Sequence, residues 1–125
     1  MRLYTFPKWL RWLYPGAIWD FSFKDEKVIY LTFDDGPNPE ITQLILKLLA
    51  KYNAPSTFFC LGNQVEKHPE IYQSILDAGH TVGNHSMTHP NGWWSLNRNY
   101  YKDVYKAEKL IKSRLFRPPY GRVGW

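Results

Sequence analysis

The sequence predicts an α/β fold in which parallel strands are joined by helical crossovers. From Lys27 onward, short β-branched and aromatic segments alternate with amphipathic segments of helical periodicity, in the order β-α-β-α-β-α-β. This alternation favours a parallel sheet with right-handed connections. A chain of 125 residues buries enough surface for one hydrophobic core, so one domain of this class is expected.

Local signals predict the individual elements in chain order. The first strand covers 28–33 and is followed by turn residues, after which Asn38 and Pro39 are a typical cap and first residue of a helix. The apolar positions of this helix that we expect to face the core are Ile41, Leu44, Ile45, Leu48, Leu49 and Tyr52. The further predicted elements are a strand over 56–61, a helix from Pro69 to Gly79, a strand at 81–82, a helix over 97–113 and a fourth strand from Leu115.

Residues 1–26 are interpreted as an aromatic and basic helical extension, and residues 27–125 as the α/β domain. The apolar residues that recur at helical spacing in the extension are Leu3, Phe6, Leu10 and Leu13. We expect this helix to pack against the domain. The alternative is contact of residues 1–15 with a membrane surface, which basic residues and Trp would favour. Lys8 and Arg11 interrupt the apolar residues, so no signal peptide is predicted.

Composition excludes several other classes of protein. Lys and Arg outnumber Asp and Glu by 16 to 11, a net charge of +5 without a dense basic block, so no nucleic-acid partner is expected. No segment has the roughly 18 apolar residues that a transmembrane helix needs. Cys60 is the single cysteine, so an internal disulfide is impossible and the cellular location stays undetermined.

Polar residues follow three of the predicted strands, and each group has a structural interpretation beside a functional one. Asp34 and Asp35 could form only a turn, or one could bind a cation while the other accepts a proton. His85 and His89 could share a metal on one helical turn, or their spacing could be coincidental. Arg117 could lie in solvent, or it could be held rigidly to orient a carboxylate.

The common placement of these groups is the stronger observation. The carboxyl ends of parallel strands meet at one edge of a sheet, where the two aspartates, the two histidines, Arg117 and Tyr120 are all expected. One Asp and two neutral His are a common ligand set for a divalent metal. Such a metal lowers the pKa of bound water to about 7, and a second, unligated Asp can act as a base. The sequence therefore predicts a hydrolytic metal site.

Three motifs resemble those of the polysaccharide deacetylases, the NodB-homology domains of carbohydrate esterase family 4. They are Thr-Phe-Asp-Asp-Gly-Pro at 32–37, His-Ser-Met-Thr-His at 85–89 and Arg-Pro-Pro-Tyr-Gly at 117–121. The resemblance covers residues 27–125 and implies a distorted (β/α) barrel of which about the first four β/α units are present. It also implies a divalent metal, usually zinc, and deacetylation of N-acetylated sugars or O-acetylated xylan, with a peptidoglycan- or chitin-like polysaccharide as partner.

The same resemblance implies roles for individual residues. Asp34 would be the general base, Arg117 would orient Asp34, and the backbone N–H of Tyr120 would help to stabilise the oxyanion. The residues that would hold the metal are Asp35, His85 and His89. An Asp-His-His set accepts zinc, cobalt and nickel alike, so the metal is not determined.

The sequence ends at Trp125, and two later motifs of the family do not occur in it. One carries an Asp that supports the Arg, with a Trp of the acetyl pocket, and the other carries a His that protonates the leaving amine. Neither His68, which precedes a helix-starting Pro, nor His80, at the amino end of a strand, matches that His. The alternative hypothesis is therefore a truncated metal- and glycan-binding fragment with little turnover.

Three further residues are predicted to be structural. Cys60 lies in an apolar strand and is expected in the core rather than as a nucleophile. Trp93 and Trp94 follow the histidine pair, and for them we favour core packing over a wall that stacks on sugar rings.

Overall fold

Three parallel strands form the sheet of the computed structural model, which describes residues 9–13, 15–18 and 27–123. The strands, in sheet order, are β1 (Leu31–Gly36), β2 (Ser56–Cys60) and β3 (Thr81–Asn84). The helices are α1 (Leu10–Leu13), α2 (Pro39–Lys51), α3 (Gly62–Lys67), α4 (Pro69–Asp77) and α5 (Asn97–Glu108), with a short 3-10 turn at Pro119–Gly121. Helices connect each strand to the next, which confirms the predicted α/β class.

The hydrophobic core lies between one face of the sheet and the helices. Its buried members are Leu46, Leu49, Phe58, Cys60, Val65, Ile75, Met87, Ala107 and Ile111. Of the three strands, only β2 contributes fully buried members to this cluster, Phe58 and Cys60, because a central parallel strand is covered by its neighbours. Cys60 is part of this core, as predicted. Burial raises the pKa of its thiol to about 12, so the thiol is not a nucleophile at neutral pH.

The start of α2 agrees with its sequence signals, and its buried face agrees with the predicted one only in part. The Asn38 side chain accepts hydrogen bonds from the backbone N–H groups of Glu40 and Ile41, at 3.1 and 3.0 Å. The buried residues of the helix are Thr42, Leu46 and Leu49. The predicted core positions that are instead exposed are Ile41, Leu44, Leu48 and Tyr52. Two of the predicted positions are correct, since Leu49 is buried and Ile45 packs partly buried against the core. Apolar residues occupy more of the circumference of α2 than the described part of the sheet covers, so periodicity alone predicts too wide a buried face.

Most predicted elements differ from the observed ones at a boundary: β1 and β3 continue to Gly36 and Asn84, while β2 and α4 end earlier, at Cys60 and Asp77. β1 begins at Leu31 rather than at residue 28, because Leu31 pairs with Ser56, the first residue of β2. The six residues of α3 were not predicted as a helix, since so short a segment shows no clear period. α5 ends at Glu108 rather than at residue 113, and the N–H groups of Leu110 and Ile111 both donate to the Ala107 carbonyl.

The predicted fourth strand is wrong: the described chain has only an isolated parallel bridge there, between Asn84 and Phe116. Asn84 donates to the carbonyl of Leu115 at 2.8 Å, and Arg117 donates to the carbonyl of Asn84 at 3.0 Å. The prolines at 118–119 have no N–H to continue the ladder, so pairing stops after one residue. The bridge nevertheless holds Arg117 beside the end of β3.

The predicted N-terminal helix is described only in part. The side chains of Trp9, Trp12 and Leu13 are mostly exposed, which does not agree with packing of this segment against the domain. The expected contributions of Leu3 and Phe6 lie outside the described residues, and the boundary between residues 26 and 27 stays a prediction. Among the described residues, no helix has the length and apolar character needed to span a membrane.

Candidate active site

An irregularity at the end of β1 separates the two adjacent aspartates. Asp34 pairs with Phe59 and Gly36 pairs with Cys60, so Asp35 is the extra residue of a β-bulge. Its φ of 67° lies in the left-handed region, which is uncommon for a residue other than glycine. A bulge redirects the side chains around it, and the two carboxylates therefore have different partners. Both residues lie within β1, so they form more than a turn.

Asp35, His85 and His89 form a group with the geometry of a metal site. Their candidate ligand atoms all lie within 4.8 Å of one another. The Asp35 Oδ1 atom is 3.5 Å from Nε2 of His85 and 3.3 Å from Nε2 of His89. The three side chains range from exposed at Asp35 to buried at His85, so the group is open on one side. The structure thus brings together the three residues that the sequence singled out as ligands.

The hydrogen bond made by the other ring nitrogen of His85 favours a cation at this position. Nδ1 of His85 lies 2.7 Å from the carbonyl oxygen of Arg117, which can only accept, so Nδ1 carries the proton and donates. When the ring is neutral, Nε2 presents its lone pair toward Asp35 Oδ1, another acceptor. A cation between two facing acceptors satisfies both of them. The hydrogen bond from Nδ1 to the Arg117 carbonyl also favours the tautomer in which Nε2 can bind a metal.

A loop, not a helical turn, brings the two histidines together. Residues 85–89 are not helical, and Ser86 and His89 have φ values of 73° and 59°. The backbone N–H of His89 donates to Ser86 Oγ at 3.1 Å, and the N–H of Ser86 donates to Asn84 Oδ1 at 2.7 Å. The expectation that the pair shares one face of a helical turn is therefore wrong. Local hydrogen bonds to Ser86 and Asn84 set the loop instead.

Asp103 of α5 supports this loop from outside, and the sequence does not predict this role. Its carboxylate accepts hydrogen bonds from the backbone N–H groups of Met87 and Thr88, at 2.7 and 3.1 Å, and from Thr88 Oγ1 at 2.6 Å. Asp103 lies 15 residues from Thr88 inside a helical segment, so no local pattern marks it.

Replacement of Asp103 by alanine is expected to lower the free energy of unfolding by about 1–3 kcal/mol, because two backbone N–H groups lose their acceptor. Chemical denaturation of the metal-free protein measures this change. Glu108→Ala is the matched control, since Glu108 is an exposed carboxylate of the same helix. Equal losses in the two variants would contradict a specific role for Asp103 in holding the loop.

Asp34 pairs with Arg117 next to the three-residue group. Arg117 Nη1 lies 2.7 Å from Asp34 Oδ1 and donates to Thr32 Oγ1 at 3.0 Å. The backbone of Arg117 is fixed as well, because its N–H donates to Asn84 and its carbonyl accepts from His85. One residue thus contacts both the candidate base and a candidate ligand, and it does not lie free in solvent.

Tyr120 borders the site, and two exposed tryptophans lie in the loop that follows His89. The Tyr120 ring meets the His89 ring edge-on, with 4.6 Å between ring centroids, and Tyr120 itself has a φ of 57°. Trp93 and Trp94 are 61% and 83% exposed, so the prediction that they pack in the core is wrong. The Arg122 guanidinium lies 4.4 Å from the Trp93 ring centroid, which places this loop against the segment that follows Tyr120.

His68 and His80 lie apart from the group of candidate ligands. His80 lies just before β3, at the amino end of the strand, and its Nδ1 is 3.3 Å from Ser56 Oγ. His68 separates α3 from α4, and its Nδ1 is 3.9 Å from a Glu70 oxygen. These contacts agree with the structural interpretation of both residues.

The fold and site define a class of protein: an α/β protein with an Asp-His-His metal-binding geometry at the carboxyl ends of its strands, beside an Asp–Arg pair. Comparison with known proteins identifies the family. The sequence profile of the polysaccharide deacetylase family matches residues 22–124, and the chain belongs to this family.

Known proteins of similar sequence and structure agree with this assignment. The chain is 50% identical over 72 residues to a chitooligosaccharide deacetylase of Rhizobium leguminosarum bv. trifolii, a match that covers 58% of this chain and 34% of the relative. The structure of the peptidoglycan deacetylase PdaC from Bacillus subtilis superposes with a TM-score of 0.73 at 42% identity, covering 80% of this chain and 52% of the other. A CE4 family pseudoenzyme from Bacillus anthracis superposes with a TM-score of 0.71 at 30% identity, covering 79% and 37%.

These matches also define how much of the family fold is present. The match covers between about a third and a half of the length of each of these three proteins. The three strands and the single bridge correspond to that share, so the prediction of a deacetylase-type (β/α) barrel with only its first units present is confirmed.

Proposed function

We propose that this chain carries the base and the metal ligands of a metal-dependent polysaccharide deacetylase. The observation that supports this most directly is the convergence of the Asp35, His85 and His89 ligand atoms within 4.8 Å, beside the Asp34–Arg117 pair. The donor set fits a divalent cation such as zinc, since it joins one carboxylate oxygen to two imidazole nitrogens. The metal would be held by these three residues.

The proposed chemistry is hydrolysis of an acetyl amide or ester. A divalent metal bound here would lower the pKa of a water and polarise the acetyl carbonyl. Asp34 accepts the proton of the attacking water, because its carboxylate is not part of the ligand group and lies beside it. Arg117 holds one oxygen of that carboxylate at 2.7 Å and so orients it. The Tyr120 backbone N–H stabilises the negative charge that develops on the acetyl oxygen.

The proposed substrate is an acetylated glycan polymer of the chitin or peptidoglycan type. The names of the relatives support this class, since they are a chitooligosaccharide deacetylase and a peptidoglycan deacetylase. The exposed Tyr120 ring beside His89, and the exposed Trp93 and Trp94 rings in the loop that follows His89, suit contact with the apolar faces of sugars. Acetylated xylan is the O-acetylated alternative.

Release of acetate by the purified chain tests this function. We expect turnover of N-acetylated chitooligosaccharides or of peptidoglycan glycan strands that a chelator abolishes and that added zinc restores. Acetylated xylan, assayed in parallel, separates amide from ester hydrolysis. Turnover that is unchanged after complete removal of metal would contradict the proposal, since it would show that the three-residue group has no part in the reaction.

A second candidate is a chain that binds metal and glycan but turns over little. The positions of the four histidines favour it, because two belong to the ligand group and the other two lie elsewhere. None of the four is therefore placed to protonate the leaving amine. A missing general acid typically costs about 10²–10⁴-fold in rate. Stoichiometric zinc binding without acetate release from any of the three substrates would support this candidate over the first.

A further inference from the structure

One row of residues crosses the sheet directly below the Asp34–Arg117 pair. Asp34 of β1 pairs with Phe59 of β2, and Phe59 pairs with Gly83 of β3. Laterally paired residues of a parallel sheet direct their side chains to the same face, and successive residues alternate between faces. Phe59 is therefore on the face opposite to Phe58 and Cys60, which belong to the core. It is nevertheless buried.

The Arg117 guanidinium lies over the Phe59 ring. The Cζ atom of Arg117 is 4.1 Å from the ring centroid, close enough for a cation–π contact. The hydrogen bonds to Asp34 and Thr32 both use Nη1, one corner of the guanidinium. These two bonds hold one edge of the guanidinium, and the Phe59 ring fills the space below the rest of the group.

Gly83 leaves the space that the ring occupies. A Cβ atom at this position would lie 2.5 Å from Phe59 Cδ1 and 2.6 Å from Cε1, closer than real Cβ contacts allow, and 3.3 Å from Leu115 Cβ. Any other residue at position 83 would displace the ring or the strand. The ring can lie beside β3, under Arg117, because position 83 has no side chain.

We propose that Phe59, in the space left by Gly83, is a positioning residue that supports the Arg117 guanidinium in the place from which it orients Asp34. The backbone of Arg117 is fixed independently, through Asn84 and His85, so the ring acts on the side chain alone. The consequence for catalysis rests on the proposed function. The placement of the guanidinium by the ring does not depend on the proposed function.

Nuclear magnetic resonance of the Arg117 side chain tests the placement without any assay of activity. Protons held over an aromatic face experience an upfield ring-current shift, so we expect upfield Arg117 side-chain signals and cross-relaxation with the Phe59 ring in the metal-free protein. Phe59→Leu removes the shift and Phe59→Tyr, which keeps the ring, retains it. Wild-type signals without a shift or cross-relaxation would overturn the proposal, even if the leucine variant fails to fold.

Kinetics test the consequence for the reaction. Phe59→Leu is expected to lower kcat for acetate release about tenfold with KM within about twofold, because the ring orients a group that acts after substrate binds. Phe59→Tyr restores the rate, and zinc stoichiometry, measured by calorimetry, stays at the wild-type value in both. Equal kcat in wild type and Phe59→Leu, or equal losses in the two variants, would overturn the role in catalysis. Absence of turnover in the wild type would refute the proposed function, while the resonance experiment still decides the placement.

Discussion

Replacement of His85 by alanine is expected to abolish the binding of one zinc ion per chain. His85 Nε2 is one of three candidate ligand atoms and belongs to the most buried side chain of the group. Its removal leaves one carboxylate and one imidazole, too few for the tetrahedral coordination that zinc prefers. Isothermal titration calorimetry with zinc measures the stoichiometry directly, and Asp35→Ala is expected to give the same result.

The matched control for this loss is His68→Ala. His68 is a partly exposed histidine between α3 and α4, outside the ligand group, and its replacement should leave zinc stoichiometry at one. Circular dichroism of all variants checks that the fold is retained. Unchanged stoichiometric binding in both His85→Ala and Asp35→Ala would eliminate the metal site as proposed.

Replacement of Asp34 by asparagine is expected to lower kcat by about 10²–10⁴-fold while zinc still binds, because the amide has the shape of the carboxylate but cannot act as a general base. Asp34 pairs with Arg117 and is not part of the ligand group, so the variant separates loss of the base from loss of the metal. Acetate release from chitooligosaccharides, together with calorimetry on the same sample, provides both measurements.

Asp77→Asn is a suitable comparison for this variant. Asp77 is the last residue of α4, and its carboxylate accepts a hydrogen bond from Gln73 at 2.8 Å, so the same chemical change occurs away from the site. Turnover by Asp34→Asn within twofold of the wild-type rate would exclude Asp34 as the base. Loss of zinc binding in this variant would instead show that Asp34 is a ligand.

The sequence predicts much of the site because its chemistry follows the ends of strands. The strand-end rule places Asp35, His85 and His89 at one edge of the sheet, and the structure brings their ligand atoms together. The same rule applies to Arg117, although the predicted strand before it is only a bridge. A single parallel bridge between Asn84 and Phe116 is enough to bring Arg117 to the end of β3. The position of Arg117 is therefore predicted correctly, although the strand before it is not.

Residues that support the site from other elements could not be predicted. Asp103 reaches the histidine loop from α5, and Phe59 lies under Arg117 from the middle strand. Each contact joins segments at least 15 residues apart, and neither residue is unusual in its local pattern. Only the packing of α5 and the register of β1, β2 and β3 show what these residues contact.

By itself, the sequence of this protein determined the α/β class, the Asn38 cap of α2, the core position of Cys60 and the motifs at the strand ends, because these depend on a few neighbouring residues. Only the tertiary structure decided which stripe of α2 is buried, where β1 begins and how the loop between His85 and His89 is formed. The physical reason is that local interactions select backbone conformation, whereas burial and register depend on partners that are distant along the chain.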